Sequence, residues 1–179
     1  MGTQQLPLDA VEAGDRGLDL SVLDCVKIQA WDRVLFVQCG DGWIVEEAWR
    51  RAQRAYVCGL DMSPVHVEIA KHLREVPGRL EFGIWDGRHL PLPDGAFGRV
   101  VLDLTRTPLA DGLLREVSRV LQASGEAYLL VPASCAGRLR EALGPVAHEV
   151  ARWEKPAVVL VAAAGAHAPG CEPATQKIV

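Results

Sequence analysis

A chain of 179 residues, 49% hydrophobic and 23% charged, can bury one sizeable core and is neither collagen-like nor wholly disordered. Its net charge of −4 gives no basic footprint for nucleic acid, so no nucleic-acid partner is expected. The longest apolar run near the C-terminus, residues 157–164, is far too short to span a bilayer.

The first residues, MGTQQLPLDAVEAGD, have neither a basic start nor an apolar centre, so they do not read as a signal peptide. Five cysteines (Cys25, Cys39, Cys58, Cys135 and Cys171) stand far apart without a CxxC pair. Reduced thiols in a cytoplasmic protein are expected, with no metal site.

Residues 1–17 carry no periodicity and read as a flexible lead-in. Apolar positions at near-helical spacing predict a short helix over 18–28. Residues 33–37 form a first buried strand, and a glycine turn follows. A helix over 43–53 places Ile44, Val45, Ala48, Trp49 and Ala52 on one face. A second strand covers 55–60 and runs into Asp61. Ser63 is placed to cap the next helix, and Pro64 suits its first turn. A third strand spans 80–84 and a fourth 99–104, separated by the loop WDGRHLPLPDGAFG. A helix over 109–121 is expected to break at Ser124-Gly125, ahead of a fifth strand at 127–131. A helix over 135–143 stops at Gly144-Pro145. Two strands, 146–153 and 157–163, close the domain around a Glu154-Lys155-Pro156 turn, and 164–179 reads as a flexible tail. Alternating strands and helices predict an α/β domain over 18–163, with a mostly parallel sheet and helices on both faces.

The stretch RVLFVQCGDGWIVEEAWRRAQRAYVCGLD (33–61) carries the most chemistry. A strand, a glycine turn, an amphipathic helix and a strand ending in an acid make a unit suited to a nucleoside cofactor. Gly40 and Gly42 let the backbone approach a ligand, and their amides suit a carboxylate. Asp61 is an acceptor-only fork that matches two ribose hydroxyls.

Four segments then resemble a class I S-adenosylmethionine-dependent methyltransferase, closest to the small-molecule type of ubiquinone and menaquinone biosynthesis. They are RVLFVQCGDGW, GLDMSPVHVEIAK, WDGRHLPLPDGAFGRVVL and LLREVSRVLQASGEAYLLVP, in family order and spacing. The resemblance implies a Rossmann-like class I methyltransferase fold, with a seven-stranded mostly parallel sheet and one antiparallel strand. It implies S-adenosylmethionine as cofactor, S-adenosylhomocysteine as product and a small-molecule methyl acceptor. Cofactor contacts would come from Gln38, Cys39, Gly40, Gly42, Asp61, Met62, Asp86, Gly87 and Asp103. In this scheme Asp86 accepts the adenine amine, the Gly87 amide faces a ring nitrogen, and Met62 lies on the adenine face. The acceptor would approach Asp103, Thr105 and Arg106. No catalytic base is identified; Asp103, Arg106 and His89 are the candidates, and His89 is the histidine expected nearest the site. Methyl transfer from a sulfonium draws mainly on in-line positioning, so a base is not required.

The sequence departs from that family at the glycine turn. An acid is usual where Phe36 stands, a glycine where Gln38 stands, and Phe-Asp where Phe97-Gly98 stands. A catalytically impaired, methyltransferase-like binding or scaffolding subunit, a pseudoenzyme, is the alternative these positions raise. A nicotinamide enzyme would need a third glycine at position 45, which is Val45. With little material to form a lid, a homodimer is one way to complete the site or cover apolar surface.

Overall fold

The computed structural model describes residues 20–105, 112–152 and 157–163. The expected lead-in and tail, the Glu154-Lys155-Pro156 turn, Arg106 and Cys171 lie outside the described residues.

The chain folds as α1 (Ser21–Val26), β1 (Arg33–Val37), α2 (Trp43–Arg51), β2 (Tyr56–Asp61), α3 (Pro64–Arg74) and β3 (Leu80–Ile84). It continues through β4 (Phe97–Asp103), α4 (Leu113–Val120), β5 (Leu121–Pro132), α5 (Ala133–Leu143), β6 (Ala147–Arg152) and β7 (Ala157–Ala163). The strand order is β3-β2-β1-β4-β5-β7-β6. The five strands from β3 to β5 pair in parallel. β7 runs antiparallel to both β5 and β6.

Alternation along β1 divides the core between the two faces of this sheet. Val34 and Phe36 join the apolar residues of α1, α2 and α3. Leu35 and Val37 point the other way, among those of α4 and α5. Successive strand residues face opposite sides, so a run of four buried residues in β1 serves both layers.

Two local expectations need correction. The fourth helix stops at Val120, and Leu121 is already extended, with ψ 141°. The helical pattern was extended one residue too far because Leu121 is apolar, but it is buried as a strand residue paired with Phe97. Ser124-Gly125 therefore lies inside β5 rather than breaking a helix. The register shifts there, between Phe97 and Arg99 on β4. A Cβ on Gly125 would lie 2.9 Å from the Leu121 side chain and 3.1 Å from the Gly98 carbonyl oxygen. A glycine marks a sheet irregularity here, a role easily confused with a turn.

Capping behaves as read from the sequence. Ser63 Oγ accepts the His66 amide at 3.3 Å, and Pro64 opens α3.

Candidate functional site

The three strands at the centre of the parallel sheet end together, and the site lies beyond their C-terminal ends. After β1 the backbone turns through three positive-φ residues: Gln38 at 68°, Gly40 at 58° and Gly42 at 77°. The amides of Gln38 and Cys39 both donate to Leu60 O, at 2.8 and 3.1 Å, which staples the turn to β2. Gly42 opens α2, and a Cβ there would come within 2.5 Å of the Phe82 ring. Gly40 has nothing within 4 Å of an added Cβ, so its Cα faces open space.

Asp61 ends β2 and is only 7% exposed. Its Oδ2 accepts the Gly40 amide at 2.8 Å, and its Oδ1 accepts the Ser63 amide at 2.9 Å. His66 Nδ1 lies 3.3 Å from the same Oδ1. Asp61 therefore ties together the glycine turn and the start of α3. A carboxylate offers about four lone-pair positions, so acceptor capacity remains for a ligand.

A cleft of roughly 210 Å³ is lined by Gln38, Gly40, Asp61, Met62, Ser63, His66 and Asp103. Asp103 is 4% exposed, and its Oδ1 accepts both the Thr105 amide at 2.9 Å and the Thr105 hydroxyl at 2.5 Å. Two buried carboxylates, from β2 and β4, thus stand in one cleft.

Five of the residues expected to contact a cofactor come together there: Gln38, Gly40, Asp61, Met62 and Asp103. Cys39 and Gly42 do not line it. Cys39 turns into the core beside Gly59, where burial, reinforced by Asp61, pushes its thiol well up from the usual range. Asp86 and Gly87 do not line the cleft either. Gly87 approaches its wall, since a Cβ there would sit 2.9 Å from the Met62 sulfur. Asp86 is exposed and caps its own loop, with Oδ1 accepting the amides of Arg88 at 2.8 Å and His89 at 2.7 Å. Those amides, His89 first, hold its carboxyl below the ordinary range.

His89 does not line the cleft; its ring is 79% exposed and lies 3.7 Å from Asp86. The histidine in the cleft is His66, which the sequence reading passed over. Its place in the first turn of α3, five residues after Asp61, was the available signal, because a capped helix start turns back toward the strand end that precedes it.

The departures at the turn have distinct physical consequences. Phe36 is 1% exposed and belongs to the core beneath α2, so it takes no part in the cleft. Gln38 lines the cleft and adopts a left-handed backbone that a glycine would adopt without strain. Val45, where a dinucleotide fold would need glycine, is fully buried.

A nucleoside cofactor's ribose would find an acceptor in Asp61. Asp61 retains acceptor capacity, and Met62 lines the cleft beside it. Among the described residues no helix is long and apolar enough to cross a membrane.

Known proteins share this fold. The methyltransferase GfsG of Streptomyces halstedii is 32% identical over 120 residues, covering 64% of this chain and 42% of that protein. The chain thus spans less than half the length of that curated relative. A SAM dependent methyltransferase from Aquifex aeolicus has a TM-score of 0.64 at 17% identity, covering 80% of this chain and 88% of that one. A chain from the complex between the Haloferax volcanii Trm112 methyltransferase activator and a putative methyltransferase has a TM-score of 0.63 at 19% identity, covering 80% and 87%. Residues 34–125, from β1 into β5, match the family described as a methyltransferase domain. That match takes in just over half of the sequence, and the chain belongs to this family, within the class I S-adenosylmethionine-dependent methyltransferases.

Proposed function

We propose that the chain binds S-adenosylmethionine in the cleft between β1, β2 and β4 and transfers its methyl group to a small-molecule acceptor. The observation that carries this reading is Asp61: a buried carboxylate at the end of β2, with unused acceptor capacity, opening on a cleft bounded by Gly40 and Met62. In this arrangement Asp61 accepts ribose hydroxyls, and Met62 lines the cleft along the base. The glycine turn, where Gly40 faces open space, receives the amino-acid end. Asp103, on the opposite wall, faces the side from which the acceptor approaches. The cofactor supplies a methyl already activated on a sulfonium, so the protein's task is to orient and enclose it.

A specific observation supports a second reading, a non-catalytic binding subunit. Gln38 stands among the residues lining the cleft where a glycine is usual, and the acid usual at position 36 is replaced by a core phenylalanine. A nicotinamide enzyme has no such support, because Val45 is sealed in the core.

Calorimetric titration with S-adenosylmethionine and S-adenosylhomocysteine tests the first reading. Micromolar binding that disappears in Asp61→Ala is the expected result. The absence of heat with both ligands overturns the cofactor assignment, and binding without turnover across an acceptor screen favours the non-catalytic subunit.

A further inference from the structure

Arg74 occupies an unusual place for an arginine. It ends α3 on the helix's core-facing side, four residues after the buried Ala70 and seven after the buried Val67. Its side chain is only 19% exposed. A guanidinium drawn out of water at such a position is costly unless its donors are satisfied.

All three guanidinium nitrogens find acceptors on or beside the glycine turn. Nε donates to the Asp41 carbonyl at 2.9 Å, Nη2 to Asp41 Oδ2 at 3.3 Å, and Nη1 to Glu46 Oε2 at 2.7 Å. Asp41 lies between Gly40 and Gly42, and Glu46 is in the first turn of α2. Arg74 thus grips the turn from one side while Asp61 holds the Gly40 amide from the other. No carboxylate from β1 takes part, since Phe36 is in the core.

We propose that Arg74 is a positioning residue, whose planar guanidinium holds the glycine turn in the shape that receives the amino-acid end of the cofactor. The proposal rests on the cofactor reading given above and adds a residue from a different helix to it. A fixed fork of donors defines orientation in a way that a flexible ammonium does not. The nucleoside half depends less on this grip, because Asp61 is also anchored by the Ser63 amide.

The test compares two ligands on the full chain. S-adenosylhomocysteine carries the amino-acid arm, and 5′-methylthioadenosine has the same nucleoside and sulfur without it. In Arg74→Met the affinity for S-adenosylhomocysteine falls about tenfold or more, while that for 5′-methylthioadenosine stays within about twofold. Arg74→Lys, which keeps the charge and loses the fork, falls between. General damage to the fold would weaken both ligands together. Equal losses for both, or no loss for S-adenosylhomocysteine, overturn the proposal.

If the unaltered chain binds neither ligand, the cofactor reading fails first, and amide hydrogen exchange at Gly40, Asp41 and Gly42 decides whether Arg74 holds the turn. Faster exchange there in Arg74→Met, with β5 amides unchanged, supports that role; unchanged exchange at the turn overturns it. Should Arg74→Met fail to fold, Glu46→Ala releases one of the three contacts and is read in the same two ways.

Discussion

Gln38 and Phe36 are two departures from the family at neighbouring positions, with opposite physical meanings. A non-glycine residue in the left-handed region carries roughly 1–2 kcal/mol of strain, partly offset in a glycine variant by the greater freedom of the unfolded chain. Gln38, at φ 68°, should therefore gain from replacement. Gln38→Gly is expected to raise the unfolding free energy by about 0.5–1 kcal/mol, read as a higher urea midpoint with an unchanged slope. A lower midpoint would mean that the glutamine side chain makes contacts worth more than its backbone strain. Phe36 is the reverse case. The family's acid cannot simply be restored, because a carboxylate would enter the core among Val34, Ile44 and Phe82. Phe36→Asp is expected to cost about 4 kcal/mol or more, from the lost ring and the buried charge together. Circular dichroism with thermal melting checks this, and a variant as stable as the parent would show that the carboxylate reaches water. Sequence comparison exposes both departures, yet only burial distinguishes the strained surface of a cleft from a core side chain.

At the scale of elements, the loop between β3 and β4 is held to α4 by Arg119, which pairs with Glu116 on its own helix and with Asp94 of the loop at 2.6 Å. Arg119 donates to the carbonyls of Leu90 at 2.9 Å and Leu92 at 2.8 Å, and to Glu116 Oε2 at 2.9 Å. Glu116 Oε2 also accepts the Leu90 amide at 2.9 Å. The Arg119 hydrogen bond, aided by the Leu90 amide, lowers the Glu116 carboxyl from its ordinary 4.5 to about 2. A folded-state pKa below the unfolded one means that this stabilisation is complete above about pH 4.5 and is lost as pH falls toward 2. Urea unfolding across that window should therefore show a smaller acid-induced loss in Glu116→Gln than in the parent chain; equal losses would assign the acid sensitivity elsewhere. The loop's Leu-Pro-x-Pro-Asp-Gly pattern was visible in the sequence and led to a family. The clamp was not, since Glu116 and Arg119 reach Leu90 across 26 and 29 residues. The strand after that helix, expected over 127–131, starts earlier, at Leu121, for a related reason: helical periodicity and a short strand share apolar residues, and pairing with β4 decides between them.

Over the whole molecule, the site joins residues carried by separate strands and helices, so ligand binding should stabilise the fold as a unit. Binding to the folded chain alone adds RT ln(1 + [L]/Kd), or about 2.7 kcal/mol at a hundredfold excess over Kd. S-adenosylhomocysteine at that excess is expected to raise the melting temperature by several degrees, and Asp61→Ala to abolish the rise. An unchanged melt in the parent chain would remove the cofactor from the account.

The sequence by itself determined the elements that depend on neighbours along the chain. The buried run of β1, the glycine turn, the acid at the end of β2, the Ser63 cap and the alternation of strands and helices were legible there, because backbone preference and burial periodicity act over a few residues. The tertiary structure decided what those groups touch. Asp61 reaches the Gly40 amide across 21 residues, Arg74 reaches Asp41 across 33, and His66 enters the cleft in place of His89. Such contacts depend on how strands register and how helices seat on the sheet, so local pattern named the site's principal acid while packing supplied its partners.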